Sequence, residues 1–189
     1  MLTGAKPVYM GPSRNRYGII GPIYPQEMQP ETLQKKISES PLTKDKAGQK
    51  PSYCVVTNCT YDGVCYNAKE AQDLLEKTSD RLHFDEAWYG YARFNPIYAD
   101  HYAMRGEPGD HNGPTVFATH STHKLLNALS QASYIHVREG RGAINFSRFN
   151  QAYMMHATTS PLYAICASND VAVSMMDGNS CLLYTSPSP

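Results

Sequence analysis

The sequence lacks an excess of charge of either sign, and it lacks any long apolar segment. Its 17 Lys and Arg residues balance 17 Asp and Glu residues, for a formal net charge of +0. This balance removes the broad basic field that non-specific nucleic-acid binding needs. No apolar run approaches the roughly 18 residues that span a bilayer, and the first residues lack the charged-then-apolar order of a signal peptide. We therefore expect a soluble, cytoplasmic protein that binds neither nucleic acid nor membrane.

The chain also lacks the paired cysteine spacing of disulfide-rich and zinc-binding domains. There are five cysteines at irregular spacing, without a C-x-x-C pair: Cys54, Cys59, Cys65, Cys166 and Cys181. An odd number without paired spacing indicates neither a disulfide framework nor a zinc site. The cysteines are therefore expected to be reduced thiols in a reducing compartment, and no metal is expected.

The length of 189 residues suits one domain with a hydrophobic core. Residues 1–52 hold more than half of the 13 prolines. Because proline interrupts regular elements, this opening is predicted to be mostly loop, apart from a short helix over residues 31–38.

The middle of the chain alternates between strand and helix patterns. A short β-branched run at 52–57 predicts a buried strand, and Asn67 caps a helix of good helix formers. Two further strands are predicted at 82–85, which ends in an acidic residue, and at 115–119. Strand, helix and strand at this spacing predict a βαβ unit, a mainly parallel sheet and the α/β fold class.

The last third of the chain carries patterns for one strand and three helices. Apolar spacing predicts a helix over 124–132, and alternation predicts a strand over 134–138. Asn145 caps a helix with an apolar stripe that ends near residue 156. Ser160 followed by Pro161 predicts the start of a helix to about Asp177.

Both ends of the sequence are unusual for a natural domain. The last nine residues, 181–189, change abruptly in composition and resemble the translation of a sequencing-library adapter. The first residues follow no recognisable upstream element. We therefore expect residues 1–180 to be an internal part of a larger domain and residues 181–189 to be a non-native tail.

The first chemically informative pattern is Thr119-His-Ser-Thr-His-Lys124, which lies between a predicted strand and a predicted helix. A lysine at a strand end, inside an electropositive pocket, can lose its proton and attack a carbonyl carbon. Ser121, Thr122 and His123 beside it could donate hydrogen bonds to a phosphate. The pattern indicates a Schiff-base lysine with a phosphate group nearby.

The second pattern is Asp85-Glu-Ala-Trp88, at the carboxyl end of a predicted parallel strand, where open α/β sheets bind ligands. A carboxylate in such a cleft needs a cationic partner, and in pyridoxal-phosphate enzymes that partner is the pyridinium nitrogen. The small Ala87 could lie flat against a ring. Together with Lys124, these residues form a set that one cofactor site explains.

Simpler interpretations of both patterns remain open. The segment around Lys124 could be a polar turn that caps the next helix, and Asp85 could cap a loop at a strand end. His120 and His123 have the i, i+3 spacing of metal ligands, but no third ligand is evident. Trp88, the lone tryptophan, could equally pack in the core.

Three segments, residues 83–98, 119–133 and 149–161, resemble the bacterial Orn/Lys/Arg decarboxylases. The S-T-H-K-L-L motif within the second segment is specific to that family. The resemblance implies a partial fold-type I pyridoxal-phosphate domain over residues 1–180, a mainly parallel sheet with helices on both faces. Overall similarity implies L-arginine as the substrate, decarboxylated with proton consumption in acid resistance. Lysine or ornithine as the substrate stays an alternative.

The resemblance also implies the site residues. Lys124 would carry the cofactor aldehyde, Asp85 would face the pyridinium nitrogen, and Ala87 would contact the ring face. Ser121 and His123 would bind or flank the phosphate, with His123 also among the catalytic residues.

Two further positions complete the implied site. Trp88 would line the active site. Thr158 would reach the cofactor phosphate of a neighbouring subunit, which makes a homodimer the minimal active unit and a higher oligomer the expected assembly.

Family members are several times longer than this chain. The part of the cofactor domain that precedes these residues in them supplies a Ser-Thr phosphate loop and the group that stacks on the pyridine ring. The isolated chain is therefore expected to be inactive. A rival interpretation is a non-catalytic assembly piece that keeps only the fold and a subunit surface.

Overall fold

The computed structural model describes residues 3–177, and within them four strands form one sheet in the order β1-β2-β3-β4. The strands are β1 (Cys54–Thr57), β2 (Arg81–Asp85), β3 (Thr115–His120) and β4 (Tyr134–Arg138). The first three run parallel to one another, and β4 runs antiparallel to β3. The predicted α/β class with a mainly parallel sheet is confirmed.

Helices precede, connect and follow the strands. They are α1 (Pro30–Glu39), α2 (Ala68–Leu75), α3 (Thr122–Leu125), α4 (Phe146–His156) and α5 (Tyr163–Met176). Within residues 3–177, no helix has the length and apolar character that crossing a bilayer requires. The predicted boundary at residue 180 and the tail 181–189 lie outside the described residues and stay predictions.

The main core lies between the sheet and α2. The Asn67 side chain accepts a hydrogen bond from the Glu70 backbone N–H at 3.1 Å, so the predicted cap begins α2 as expected. Leu75 of α2 is fully buried, as are Leu82 and Phe84 of β2. Full burial of such side chains stabilises the fold by about 1.5–3 kcal/mol each. This packing makes β1, α2 and β2 the predicted βαβ unit.

The prediction of a buried strand over 52–57 is wrong for one face of β1. Val56 is buried, whereas Val55 is 43% exposed. Successive side chains of a strand point to opposite faces of the sheet, so Val56 packs in the core while Val55 lies on the other face.

The helix predicted over 124–132 is much shorter in the structure. It ends at Leu125, and residues 126–132 leave the helical path. The Ala132 carbonyl accepts a hydrogen bond from the backbone N–H of His123 at 3.4 Å and lies 2.8 Å from its ring Nδ1. Residues 126–132 therefore fold back as a turn, in which Gln131 adopts a φ of 74°. Leu126 is the buried anchor of this turn.

The two C-terminal helices differ in how well the sequence predicts them. The Asn145 side chain accepts a hydrogen bond from the Arg148 N–H at 3.0 Å and caps α4 as predicted. Helix α5 begins at Tyr163, and its N-cap position is Leu162. The prediction of a cap at Ser160 is wrong, because the Ser160 N–H instead bonds the Thr158 hydroxyl at 3.1 Å.

A second cluster of aromatic side chains anchors the loop that follows β2. The Tyr89 ring is buried and makes edge-on contacts with Tyr91 at 5.4 Å and with Tyr98 at 5.5 Å. Such edge-to-face geometry is favoured between aromatic rings. The cluster, with buried Cys59, Ala92 and Tyr102, holds the chain in place directly after Asp85.

Candidate active site

Asp85 and the Thr119–Lys124 segment lie side by side at the carboxyl ends of two parallel strands. Asp85 is in register with Thr119 across β2 and β3. Beyond the strands, the Glu86 N–H donates to the Thr119 carbonyl at 3.0 Å, and the Ser121 N–H donates to the Ala87 carbonyl at 3.3 Å. These bonds join the two sequence patterns into one locus, at the sheet edge where α/β proteins bind ligands.

Asp85 is half-buried, and its Oδ1 accepts a hydrogen bond from the Ala87 backbone N–H at 3.2 Å. His83 precedes it by two residues, so both side chains share one face of β2. The His83 Nε2 lies 3.2 Å from the Thr119 hydroxyl. Burial lowers the pKa of His83, while the nearby Asp85 charge acts in the opposite direction. This face therefore presents a carboxylate beside a ring that burial keeps neutral.

Lys124 is exposed on α3, and its Nζ lies 4.8 Å from the centroid of the Trp88 ring. An ammonium at that position is attracted by the ring quadrupole. The Tyr61 ring contacts Trp88 edge-on, with centroids 5.6 Å apart. Trp88 is half-buried: it packs against the aromatic cluster around Tyr89 and also lies beside Lys124. Its predicted role in lining the active site stays a prediction.

The His123 ring is oriented by the turn that follows α3. Its Nδ1 lies 2.8 Å from the Ala132 carbonyl. Because a carbonyl oxygen only accepts, Nδ1 must carry the hydrogen. The remaining nitrogen, Nε2, is an acceptor in the neutral ring and donates to a phosphate only when the ring is doubly protonated.

Thr158 is the one predicted site residue that the described chain does not bring to this locus. It lies exposed between α4 and α5, and its hydroxyl accepts a local hydrogen bond from the Ser160 N–H. Its predicted role concerns a neighbouring subunit, so the position on an exposed connection leaves that role as a prediction.

A buried carboxylate next to Asp85 was not identified from the sequence. Glu86 is fully buried, and its Oε1 accepts hydrogen bonds from Asn58 Nδ2 and the Ala103 N–H, both at 2.7 Å. Its Oε2 lies 2.9 Å from His120 Nε2. The signal was available: Glu86 continues the alternation of Leu82 and Phe84, and therefore lies on their buried face.

The Glu86 network extends to a second histidine. The ring centroids of His120 and His136 lie 4.8 Å apart. Burial, with a smaller contribution from His120, lowers the pKa of His136, while Glu86 opposes the shift. The network ties the end of β2 to β3 and β4, and so fixes the residues on either side of Asp85.

The metal interpretation of His120 and His123 has no support in the described chain. Across residues 3–177, no group of three or more His, Cys, Asp or Glu side chains could hold a metal ion. His120 instead bonds Glu86, and His123 bonds the Ala132 carbonyl.

Two cavities lie near the sheet but not at Asp85 and Lys124. One of about 770 Å³ lies between the N-terminal segment and β1, and it is lined by Tyr9 and Tyr53 among others. The other, about 890 Å³, is bordered by His120 and His136. The candidate site at the carboxyl ends of β2 and β3 is therefore defined by its side chains and not by either of these cavities.

The residues present fit pyridoxal phosphate. Within residues 3–177, neither the Lys124 amine nor the Asp85 carboxylate forms an ion pair with another side chain. An amine nucleophile and a carboxylate without a cationic partner are what a ligand with an aldehyde and a basic ring nitrogen requires. Ala87 adds a small side chain, and Ser121 adds a hydroxyl.

Comparisons with known proteins identify related amino-acid decarboxylases. The family model for the Orn/Lys/Arg decarboxylase major domain matches residues 1–186. The chain is 98% identical over 185 residues to the biodegradative arginine decarboxylase of Escherichia coli, covering 98% of this chain and 24% of that protein. It is 50% identical over 179 residues to a lysine decarboxylase of Pseudomonas aeruginosa, covering 94% and 24%.

The fold comparison leads to the same group of proteins. The solved structure of lysine decarboxylase A from Pseudomonas aeruginosa superposes with a TM-score of 0.84 at 49% identity, covering 96% of this chain and 24% of that one. The chain therefore spans about a quarter of the length of the relatives that it matches. On the family match and these identities, the chain belongs to the Orn/Lys/Arg decarboxylase family.

Proposed function

We propose that this chain carries the central part of the active site of a pyridoxal-phosphate-dependent decarboxylase that converts L-arginine into agmatine and CO2. The observation that carries the proposal is the placement of Asp85 and Lys124 after neighbouring parallel strands, joined by backbone hydrogen bonds. The 98% identity to an arginine decarboxylase supports arginine as the substrate.

Lys124 and Asp85 have different roles at the two ends of the cofactor ring. When bound, pyridoxal phosphate supplies an aromatic ring that accepts the electron pair left behind by CO2. The Asp85 carboxylate keeps a proton on the ring nitrogen by charge-assisted hydrogen bonding. The Lys124 amine supplies the covalent attachment, and its position over Trp88 holds it at the edge of the site.

The residues around Lys124 serve the phosphate and the ring face. Ser121 offers a hydroxyl donor, and His123 donates from Nε2 when its ring is protonated, because Nδ1 is already bonded to Ala132. Ala87 leaves space for a flat ring. Replacement of the lost carboxylate by a proton at the α-carbon consumes one proton per turnover, which is the basis for a role in acid resistance.

The proposal includes the assembly and the compartment of the protein. Thr158 is exposed on the connection between α4 and α5, and its proposed role is to contact the cofactor phosphate of a second subunit. A homodimer is therefore the proposed minimal active unit, with a higher oligomer as the proposed assembly. The proposed compartment is the cytoplasm, which suits cysteines that form no disulfide, such as Cys59 and Cys65.

Lysine or ornithine is the alternative substrate class. Identities of 50% to a lysine decarboxylase of Pseudomonas aeruginosa and 36% to a constitutive ornithine decarboxylase of Escherichia coli show that the fold serves all three. The much higher identity to the arginine enzyme favours arginine.

The function is tested in a chimera in which residues 1–180 replace the matching segment of the Escherichia coli arginine decarboxylase. Borohydride reduction and peptide mapping are expected to place the pyridoxyl group on Lys124. The chimera is expected to release CO2 from arginine, with little release from lysine or ornithine. Replacement Asp85→Ala is expected to lower kcat at least a hundredfold, on the order of 3 kcal/mol.

Matched variants separate a site role from a general loss of structure. Lys124→Ala should abolish labelling and turnover, whereas Lys77→Ala, at an exposed position after α2, should change neither. Labelling of another lysine, or near-normal turnover of the Asp85→Ala protein, would contradict the assignments. A chimera that assembles without binding cofactor would support the non-catalytic interpretation.

A further inference from the structure

Cys59 and Cys65 face each other across a tight hairpin, and neither residue has a role in the proposed active site. They form an antiparallel bridge pair, and their Sγ atoms lie 3.6 Å apart. The flanking hydrogen bonds run from Thr60 N–H to the Val64 carbonyl at 2.9 Å and from Tyr66 N–H to the Asn58 carbonyl at 3.2 Å. The cysteines are thus the non-hydrogen-bonded pair of the ladder.

That position has the backbone geometry of a disulfide. Non-hydrogen-bonded antiparallel pairs have Cα atoms about 4.5 Å apart. Disulfides form at Cα separations of roughly 4.4–6.8 Å. The two sulfur atoms therefore need to approach only from 3.6 Å to the bonding distance of about 2.05 Å, which side-chain rotation can provide.

The two thiols differ in a way that assigns their order of reaction. Cys65 is exposed, whereas Cys59 is only 8% exposed. Burial, together with the neighbouring Cys65, raises the pKa of Cys59 to about 12. An oxidant therefore reacts with the exposed Cys65 first, and Cys59 beside it is the resolving thiol that reacts second.

We propose that Cys59 and Cys65 form a redox modification site, at which hydrogen peroxide or an organic peroxide converts the two thiols into a reversible disulfide. The Cys65 thiol loses its proton, the thiolate attacks one peroxide oxygen, and the O–O bond breaks. Sulfenic acid forms, and the leaving hydroxide or alkoxide takes up the proton and departs as water or an alcohol. Cys59 then loses its proton and attacks the Cys65 sulfur. The S–S bond forms, the S–O bond breaks, and hydroxide leaves with that proton as water.

In the complete reaction, the two sulfur atoms together lose two electrons, and the peroxide gains them. Thiol reductants reverse it by exchange at the disulfide. Transient disulfides of this kind are compatible with the reducing compartment expected from the cysteine pattern, because cytosolic disulfides are characteristically redox-sensing or catalytic.

The hairpin connects this site to Lys124. Tyr61 lies between the two cysteines and packs edge-on against Trp88, whose ring lies 4.8 Å from the Lys124 Nζ. Closing the disulfide tightens the hairpin and shifts the Tyr61 ring. Trp88 is the only tryptophan of the chain, so its fluorescence reports the change without interference from another indole.

The test uses the 189-residue chain, oxidised with hydrogen peroxide in native buffer and, in parallel, in concentrated guanidinium chloride. In native buffer we expect loss of the mass of two hydrogen atoms and a single Cys59–Cys65 linkage in the peptide map. The Trp88 emission should change, and dithiothreitol should restore both mass and emission. In guanidinium chloride the linkages should be mixed.

Two matched variants complete the experiment. Cys59→Ser should stop Cys65 at the sulfenic acid, trapped by dimedone, and should leave the Trp88 emission unchanged by peroxide. Cys166→Ser removes another exposed thiol and should leave the linkage intact. Identical products in native and denaturing buffer, or over-oxidation of Cys65 while Cys59 stays a thiol, would overturn the proposal. None of these readouts depends on decarboxylase activity.

Discussion

At the scale of single residues, Glu86 shows how a charged side chain becomes part of the core. It is fully buried, and three partners contact its two oxygens: the Asn58 amide, the Ala103 N–H and the His120 ring. A buried carboxylate is tolerated only when such partners replace water. The network thereby fixes the backbone on both sides of Asp85.

Removal of this carboxylate should destabilise the fold strongly. We expect Glu86→Ala to lower the free energy of unfolding by about 3–5 kcal/mol, because the buried Asn58 and Ala103 and the partly buried His120 lose this acceptor. Urea denaturation followed by Trp88 fluorescence measures the change. Glu107→Ala, at an exposed acidic residue, should change it by no more than about 0.5 kcal/mol. Equal effects of the two replacements would contradict the assigned role.

The lowered pKa values of His83 and His136 allow us to predict how the free energy of unfolding depends on pH. Burial lowers the pKa of both rings below the ordinary value, so the unfolded chain binds more protons than the folded chain below about pH 6.5. The two rings therefore make their full contribution to the free energy of unfolding above that pH. This contribution is lost as the pH falls towards their lowered pKa values.

We therefore expect the free energy of unfolding to decrease between pH 7 and pH 5. The double replacement His83→Gln with His136→Gln should flatten this slope, as measured by urea denaturation at several pH values. The exposed His156→Gln serves as the matched control. A slope that survives the double replacement unchanged would show that other groups control acid sensitivity.

At the scale of secondary-structure elements, local signals were reliable where a side chain bonds the backbone a few residues away. Asn67 and Asn145 both cap the helices that they were predicted to start. Ser160 did not, because its neighbour Thr158 bonds the Ser160 N–H and α5 begins only after Leu162.

The Asn67 cap should contribute measurably to stability, since α2 packs on the sheet. We expect Asn67→Ala to lower the free energy of unfolding by about 1 kcal/mol, because the Glu70 N–H loses its acceptor. Asn67→Asp should retain most of the stability, because aspartate accepts the same hydrogen bond. Loss of stability in both variants alike, by urea denaturation, would argue against capping as the cause.

Helix α4 shows what periodicity leaves undecided. Its apolar stripe was read correctly as helical, yet Phe146, Tyr153 and Met154 are more than half exposed in the described chain. Phe149 stacks on Phe117 of β3, with ring centroids 6.3 Å apart. A period of 3.6 identifies a helix, but it does not identify the surface that the apolar side faces.

At the scale of the whole molecule, the chain carries both proposed catalytic residues, Lys124 and Asp85. It offers few side chains that could contact the cofactor phosphate. Ser121 and His123 are the candidate donors beside Lys124, and Thr158 is assigned to a partner subunit. A cofactor ring that is held loosely reacts slowly, because displacing a reacting group by about 1 Å can lower the rate roughly a hundredfold.

The isolated 189-residue chain is therefore expected to be inactive as a decarboxylase. Release of CO2 from carboxyl-labelled arginine, with pyridoxal phosphate supplied, should not exceed that of a Lys124→Ala control. The chimera described above is the positive control. Clear release above the Lys124→Ala background would show that the chain contains all the groups that the reaction needs.

Much of the fold and part of the site could be predicted from the sequence alone. Alternation and capping predicted β2, β3, β4, α2 and α4, because each depends on neighbours two to four residues apart. The placement of Asp85 and Lys124 after strand ends followed from the same patterns, whereas the pairing of β2 with β3, which brings them together, comes from the tertiary structure.

Only the tertiary structure decided which polar residue became buried and where the helix after Lys124 ended. The Glu86 hydrogen bonds to Asn58 and His120 join residues 28 and 34 positions apart. After α3 the chain returns, so that the Ala132 carbonyl lies 2.8 Å from the Nδ1 of the His123 ring. Such contacts depend on how the chain folds back on itself, and no pattern within one or two helical turns of the sequence contains them.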